Sequence, residues 1–294
     1  MGQYGHVSRS TNASFHLLGR HFNVSSSGVA RRLLAVVTLV VLAACSTATL
    51  EPGKPEAAKQ LSAPRTSHVP EPEKTLPAIP GARPGAPVVV FQGPEKAKDS
   101  WALTLDDGVC PECIAGYVKL AEQGMHLTFC PNGQYAKNWE PMAARIKKLV
   151  AQGRVQVCNH TMNHKNLLTL SDAQIEHEIQ SNEDWIQHTF GTTSRPWLRP
   201  PFGNHNPRVD AVAARLGFTH IAIWNGSFGD SGKLEPNVLL GEVDKYLKPR
   251  TLMLAHVNYP TAINHFAEIQ KMADQRGLRA VTLDEMFGTS RIIG

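Results

Sequence analysis

Hydrophobic positions along residues 87–282 follow two alternating patterns. Short apolar runs, rich in β-branched and aromatic residues, fall at 87–91, 101–105, 125–130, 155–158, 197–199, 220–224, 251–255 and 280–282. Their length and composition predict strands. Between them lie segments with apolar residues three or four apart, at 114–122, 141–152, 171–190, 207–216, 236–247 and 262–275. That spacing predicts helices with one buried stripe. The punctuation agrees: Ser171 stands where a cap is needed, and Gly124, Gly153 and Gly191 stand where helices stop. Strand and helix alternating seven or eight times predict an α/β fold with mostly parallel strands, as a barrel or an open sheet.

The first 86 residues break this pattern. Arg31-Arg32 precede an apolar run at 33–44 that is shorter than the ~20 residues of a membrane span. A charged start, a short apolar stretch and small residues before Cys45 predict an export signal over 1–45, against the alternative of a short buried helix. Leu42-Ala43-Ala44-Cys45 also resembles the bacterial lipobox, which implies acylation of Cys45 and a lipid anchor at the outer face of a membrane or cell envelope. Residues 46–86 are rich in Pro, Ala, Glu and Lys and poor in large apolar side chains, the composition of a tether. The expected organisation is a leader over 1–45, a linker over 46–86 and one catalytic domain over 87–294.

Charge narrows the partners. The formal net charge is +5. Four of the 30 basic residues (Arg9, Arg20, Arg31, Arg32) and none of the 25 acidic ones lie within 1–45, which leaves 26 basic against 25 acidic residues in the remainder. The basic excess that a nucleic-acid surface needs is therefore missing. A monomer is expected.

Candidate chemistry gathers at the ends of the predicted strands, where parallel α/β folds place their reacting groups. Asp106 and Asp107 follow one strand and His160 and His164 another; Arg199, Trp224 and His256 end three more. Two adjacent carboxylates need something positive between them. A histidine pair spaced i, i+4 on a helical turn can grip one divalent ion, with one aspartate completing a His2Asp set and the other free to act as a base. Taken singly, each feature has a plainer reading: a capping pair for the aspartates, two solvent-facing polar residues for the histidines, a structural ion pair for Arg199.

Taken in order, Thr104-Leu105-Asp106-Asp107-Gly108, His160-Thr161-Met162-Asn163-His164, Arg199-Pro200-Pro201-Phe202-Gly203 and Leu254-Ala255-His256 resemble four of the five motifs of the polysaccharide deacetylases, the NodB-homology group or carbohydrate esterase family 4. The resemblance implies a distorted (β/α) barrel of seven or eight mostly parallel strands over roughly 87–288. It implies a divalent metal on Asp107, His160 and His164, most often Zn²⁺, with Co²⁺, Ni²⁺ or Mn²⁺ as alternatives. It implies Asp106 as general base held by Arg199, His256 as general acid, the Phe202 backbone N–H at the oxyanion, and Leu254 against the acetyl methyl. The implied reaction is N-deacetylation of N-acetylglucosamine in a cell-surface polysaccharide such as peptidoglycan; an O-acetyl xylan esterase is the alternative on the same centre.

The fifth motif departs from the family pattern. Ser227 and Ser231 stand where an Asp and a Trp are expected, while Asp230 matches the second Asp, which in the family orients the acid histidine. Trp224 or Phe228 is expected to supply the groove wall that the absent Trp would form. Cys110-Pro111-Glu112-Cys113 raises a different class of function, an exported thiol–disulfide oxidoreductase. Four cysteines remain after Cys45, an even number suited to an oxidising compartment, and a disulfide is expected between Cys130 and Cys158. A non-catalytic glycan-binding lipoprotein is the third class. It would be expected to lack the base, a ligand or the acid, and all of these are present.

Overall fold

A computed structural model describes residues 86–289. The leader over 1–45 with Cys45, the linker up to residue 85 and the last five residues lie outside the described residues.

The strands are β1 (Val88–Val90), β2 (Ser100–Asp107), β3 (Leu127–Pro131), β4 (Val155–Val157), β5 (Trp197–Leu198), β6 (His220–Ala222), β7 (Gly226–Ser227), β8 (Leu252–His256) and β9 (Arg279–Val281). All strand pairings are parallel. One sheet runs β4-β3-β2-β8-β7, with β9 also on β2, and the second runs β1-β6-β5. Two single-residue bridges, Asn159 with Leu198 and Gln92 with Thr251, join the sheets where a regular barrel would carry continuous ladders. All eight expected strands are present, and β7 is a short addition. Its two residues, Gly226 and Ser227, carry no apolar run to announce them.

Strand β2 is the spine. It pairs with β9 at its start, with β3 at its end and with β8 along its length. Trp101, Ala102, Leu103, Thr104 and Leu105 are all fully buried, so this central strand reads as an unbroken apolar run instead of alternating. The one polar residue within 101–105, Thr104, donates to the Met253 carbonyl at 2.9 Å.

The helices are α1 (Pro111–Glu122), α2 (Ala136–Trp139), α3 (Ala143–Ala151), α4 (Asp172–Phe190), α5 (Pro207–Arg215), α6 (Pro236–Tyr246), α7 (Thr261–Asn264), α8 (Phe266–Gln275) and α9 (Leu283–Phe287). Helix α4 keeps both expected ends: Ser171 forms a capping box with Gln174, and Gly191 closes the helix in the left-handed region. Helix α1 starts three residues earlier than expected because Pro111 suits the first turn and the Cys110 sulfur accepts from the Cys113 N–H. The expected helix over 262–275 is two helices parted at His265.

Two disulfides are formed. Cys130–Cys158 ties the end of β3 to the residue after β4, as expected, and Cys110–Cys113 closes the first turn of α1.

Candidate metal centre and active site

The site lies where β2, β4, β5 and β8 end. Asp106 sits between Cys130 on β3 and His256 on β8 in the parallel register. Neighbouring residues on a strand point to opposite faces, so Asp106 and Asp107 could not share a mouth if the strand simply continued. It does not: Asp107 has a φ of 76°, which turns its carboxylate to the same side. Gly108 follows at φ 145°, and a Cβ there would lie 2.0 Å from Trp139 Nε1. That indole N–H donates to the Asp107 carbonyl at 2.9 Å, so the glycine gives Trp139 the room to brace the turn.

His160 and His164 converge, but not on a helical turn. Residues 158–166 form an irregular loop, with Thr161 at φ 65° and His164 at φ 51°. The expected i, i+4 helical presentation is therefore corrected: buried polar contacts aim the two rings. Asn159 Nδ2 donates to the Ile179 carbonyl at 3.0 Å and its Oδ1 accepts the Thr161 N–H at 2.9 Å. Asn132 Nδ2 donates to the carbonyls of His160 and Thr161. Glu178 of α4 accepts from the Asn163 N–H and side-chain amide at 2.8 and 3.0 Å. Four of the five non-glycine residues with positive φ among the described residues are Asp107, Thr161, His164 and Phe202. Such backbone persists only where surroundings over-determine it, and it clusters at functional sites.

The three expected ligands meet. His160 Nε2 and His164 Nε2 lie 3.6 and 3.7 Å from Asp107 Oδ1, and the three ligand atoms fall within 4.8 Å of one another. Tetrahedral bonds of about 2.0–2.1 Å place ligand atoms roughly 3.4 Å apart, so the set fits one small divalent ion. The chemistry of the donors fits too. His160 Nδ1 is 2.7 Å from the Arg199 carbonyl, which requires a proton on Nδ1 and leaves Nε2 as the nitrogen turned toward Asp107. Burial, and then the neighbouring His160, push the His164 pKa down, which favours the neutral, ligating imidazole.

Asp106 is held by a different partner. Arg199 is 0% exposed; its Nη1 donates to both Asp106 oxygens at 3.0 Å, its Nη2 to Thr104 Oγ1 at 2.9 Å and its Nε to the Ala222 carbonyl at 2.6 Å. Asp106 Oδ2 is also 3.6 Å from His160 Nε2. Across the strand pair, His256 Nδ1 lies 2.9 Å from Asp230 Oδ1, and the His256 N–H donates to Asp230 Oδ2 at 3.2 Å. Burial by itself favours neutral His256, but the Asp230 hydrogen bond and the carboxylates of Asp106, Asp230 and Asp107 outweigh it and raise the pKa above 6.5.

The rim is mixed. Phe202 is 62% exposed at φ 61°, and its ring lies edge-on to His164 at 4.5 Å. Leu254 is buried on β8, two residues before His256 and on the same side. Of the two replacements expected for the missing groove Trp, Phe228 is corrected. It is fully buried in the core and faces no groove. Trp224 is half-buried over the Arg199 guanidinium at 5.3 Å. Cys110 and Cys113 are bonded to each other and buried, so neither offers the accessible thiol that exchange chemistry requires.

Asn258 was not anticipated. Its Nδ2 donates to Asp107 Oδ2 at 2.7 Å. A polar residue two positions beyond His256 was the only sequence signal.

Residues 93–221 match the polysaccharide deacetylase family. That span holds Asp106, Asp107, His160, His164, Arg199 and Phe202, and ends before Asp230, Leu254 and His256. Chitin deacetylase of Amylomyces rouxii is 33% identical over 129 residues, which are 43% of this chain and 29% of that protein. The chain thus spans under a third of that relative's length. The structure of the chitin deacetylase from Colletotrichum lindemuthianum superposes with a TM-score of 0.62 at 22% identity, over 71% of this chain and 94% of the other. A pseudoenzyme of carbohydrate esterase family 4 from Bacillus anthracis gives 0.62 at 22% identity, over 69% of each chain. These two likenesses establish a common fold. The family match, over residues 93–221, spans under half of the chain, so that stretch is similar to the polysaccharide deacetylases.

Proposed function

We propose that this chain hydrolyses acetyl groups from N-acetylglucosamine residues of a cell-surface polysaccharide such as peptidoglycan, with one divalent ion, Zn²⁺ in the first instance, held by Asp107, His160 and His164. The observation that carries the reading is the convergence on Asp107 Oδ1 of two imidazole Nε2 atoms at 3.6 and 3.7 Å, with a second carboxylate, Asp106, held separately by a buried arginine. A fold that also serves a pseudoenzyme does not support catalysis by itself, so the side chains have to carry it.

The bound ion would act as a Lewis acid on the acetyl carbonyl and on the attacking water. Asp106 takes the proton from that water, and Arg199 keeps its carboxylate aimed. The Phe202 N–H faces the developing oxyanion. His256, with Nδ1 committed to Asp230, gives a proton from Nε2 to the departing sugar nitrogen. Leu254 walls the space for the acetyl methyl. The products are acetate and a free amino sugar.

Acetate release from a panel of acetylated glycans tests this: peptidoglycan, chitin oligomers, poly-N-acetylglucosamine and O-acetylated xylan, with chelator and with added metal. Release from an N-acetyl substrate that disappears with chelator and with Asp106→Asn is expected. Release indifferent to chelator refutes the reading. A thiol–disulfide enzyme would tolerate Asp106→Asn and fail on replacement of Cys110. We also propose that Cys45 is lipidated, which tethers a monomeric domain outside the cell; labelled fatty acid incorporated into wild type but not Cys45→Ala is the expected result.

A further inference from the structure

The two oxygens of the Asp107 carboxylate face different partners. Oδ1 faces the imidazoles of His160 and His164. Oδ2 accepts the Asn258 side-chain amide at 2.7 Å. We infer that Asn258 is a positioning residue that holds Asp107 as a one-oxygen metal ligand and so sets the affinity of the centre; this rests on the metal site proposed above.

The orientation of the amide is fixed by its surroundings. Asn258 Oδ1 accepts the Val109 N–H at 3.3 Å while Nδ2 points at the carboxylate. Turned over, the amide would set oxygen against oxygen and N–H against N–H, so only one arrangement satisfies both ends. The backbone around it is laced across the same gap. The Val257 N–H donates to the Asp106 carbonyl at 3.0 Å, and the Cys110 N–H donates to the Val257 carbonyl at 3.0 Å. Trp139 holds the Asp107 carbonyl from the other side. The main chain of Asp107 is therefore fixed by β2 and Trp139, and rotation of its carboxyl group is limited by Asn258. Without that amide, the carboxylate can turn to present both oxygens or neither, and the ligand must be ordered when the ion binds. Partners behind a ligand typically govern 10–100-fold in metal affinity or activity.

Zn²⁺ alone is the probe. Its dissociation constant is measured on the full domain by competition with a chromophoric chelator for wild type, Asn258→Ala and Asn258→Leu. Leu keeps the branched shape of Asn, with the same number of side-chain heavy atoms, so the result does not turn on a cavity. Melting temperatures are taken with and without Zn²⁺. The expected result is Zn²⁺ binding weakened about 10–100-fold in both variants, with a smaller rise in melting temperature on adding Zn²⁺ than in wild type. Variants that melt lower with and without Zn²⁺ by the same amount, yet bind Zn²⁺ as wild type does, would make Asn258 a loop staple and overturn the inference alone. A wild-type protein that binds no Zn²⁺ overturns both this and the metal-dependent deacetylase reading.

Discussion

Replacing Arg199 by Met tests whether Asp106 depends on its buried partner. Both side chains are out of water, with Arg199 at 0% and Asp106 at 3% exposure, so solvent screening does not discount the pair as it would on the surface. Met fills most of the space but leaves a buried carboxylate with no cation, and removing one partner of such a pair costs about 3–5 kcal/mol. The Ala222 carbonyl also loses the Arg199 Nε donor, about 1 kcal/mol more. A loss of about 4–6 kcal/mol in a domain of about 200 residues lowers the melting temperature by about 8–24 °C. The assay is urea and thermal unfolding of wild type, Asp106→Asn, Arg199→Met and the double variant, all in chelator so that metal binding does not enter. In the double variant a neutral amide stands where the stranded carboxylate was. It should be more stable than Arg199→Met alone, with a coupling of at least about 2 kcal/mol. A single-variant cost below about 1 kcal/mol, or a double variant no more stable than Arg199→Met, refutes the account of Asp106 as a carboxylate fixed by a buried ion pair.

Four further outcomes are expected. Asp230→Asn replaces a charged acceptor at His256 Nδ1 by a neutral one and so removes one of the charges that raise His256; the alkaline limb of kcat/KM, where a protonated acid is lost, should move to lower pH, and an unmoved limb argues against His256 as the acid. A raised His256 also stabilises the fold fully below pH 6.5 and loses that contribution as pH rises through the folded value, so the stability gap between wild type and Asp230→Asn should narrow on the alkaline side in a pH series of unfolding curves. Replacing both Cys130 and Cys158 by Ser opens a link between residues 28 apart in sequence, which should cost about 3–4 kcal/mol of unfolding free energy; equal midpoints in wild type and variant would show that the strands hold without it. Gly108→Ala forces a Cβ onto the Trp139 indole at a φ of 145°, displaces the brace on Asp107, and should weaken Zn²⁺ binding by about tenfold or more in the same chelator competition.

The expected strands were legible because each is a short apolar run between punctuated helical stretches, and burial on both faces keeps Trp101 to Leu105 of β2 apolar but for Thr104. Strand ends were legible for the same reason: Asp106 and His256 are the first charged or titratable groups after such runs, and Arg199 is the last residue of another. What failed was local geometry set by distant contacts. The His160–His164 spacing suggested a helical turn, yet Asn132, Asn159 and Glu178 pull the segment into a loop that presents the rings by another route. Phe228 looked like a groove wall because it follows the strand end, but β7 pairs with β8 there and directs it into the core.

Asn258 shows why the supporting layer escapes a sequence reading. The ligands belong to recognisable spacings because each must leave its own strand at a given point. A residue that orients a ligand needs only to reach it through space, from whichever loop passes nearby. Here Asn258 reaches Asp107 across 151 positions, and its side chain gains a partner at both ends only because β2 and β8 are adjacent and parallel. The same adjacency sets His256 beside Asp106 in the register. A single strand pairing therefore brings the proposed base and acid to one mouth and also places Asn258 against the carboxylate proposed to bind the metal, so substitutions that shift β8 along β2 should disturb metal binding and proton transfer together.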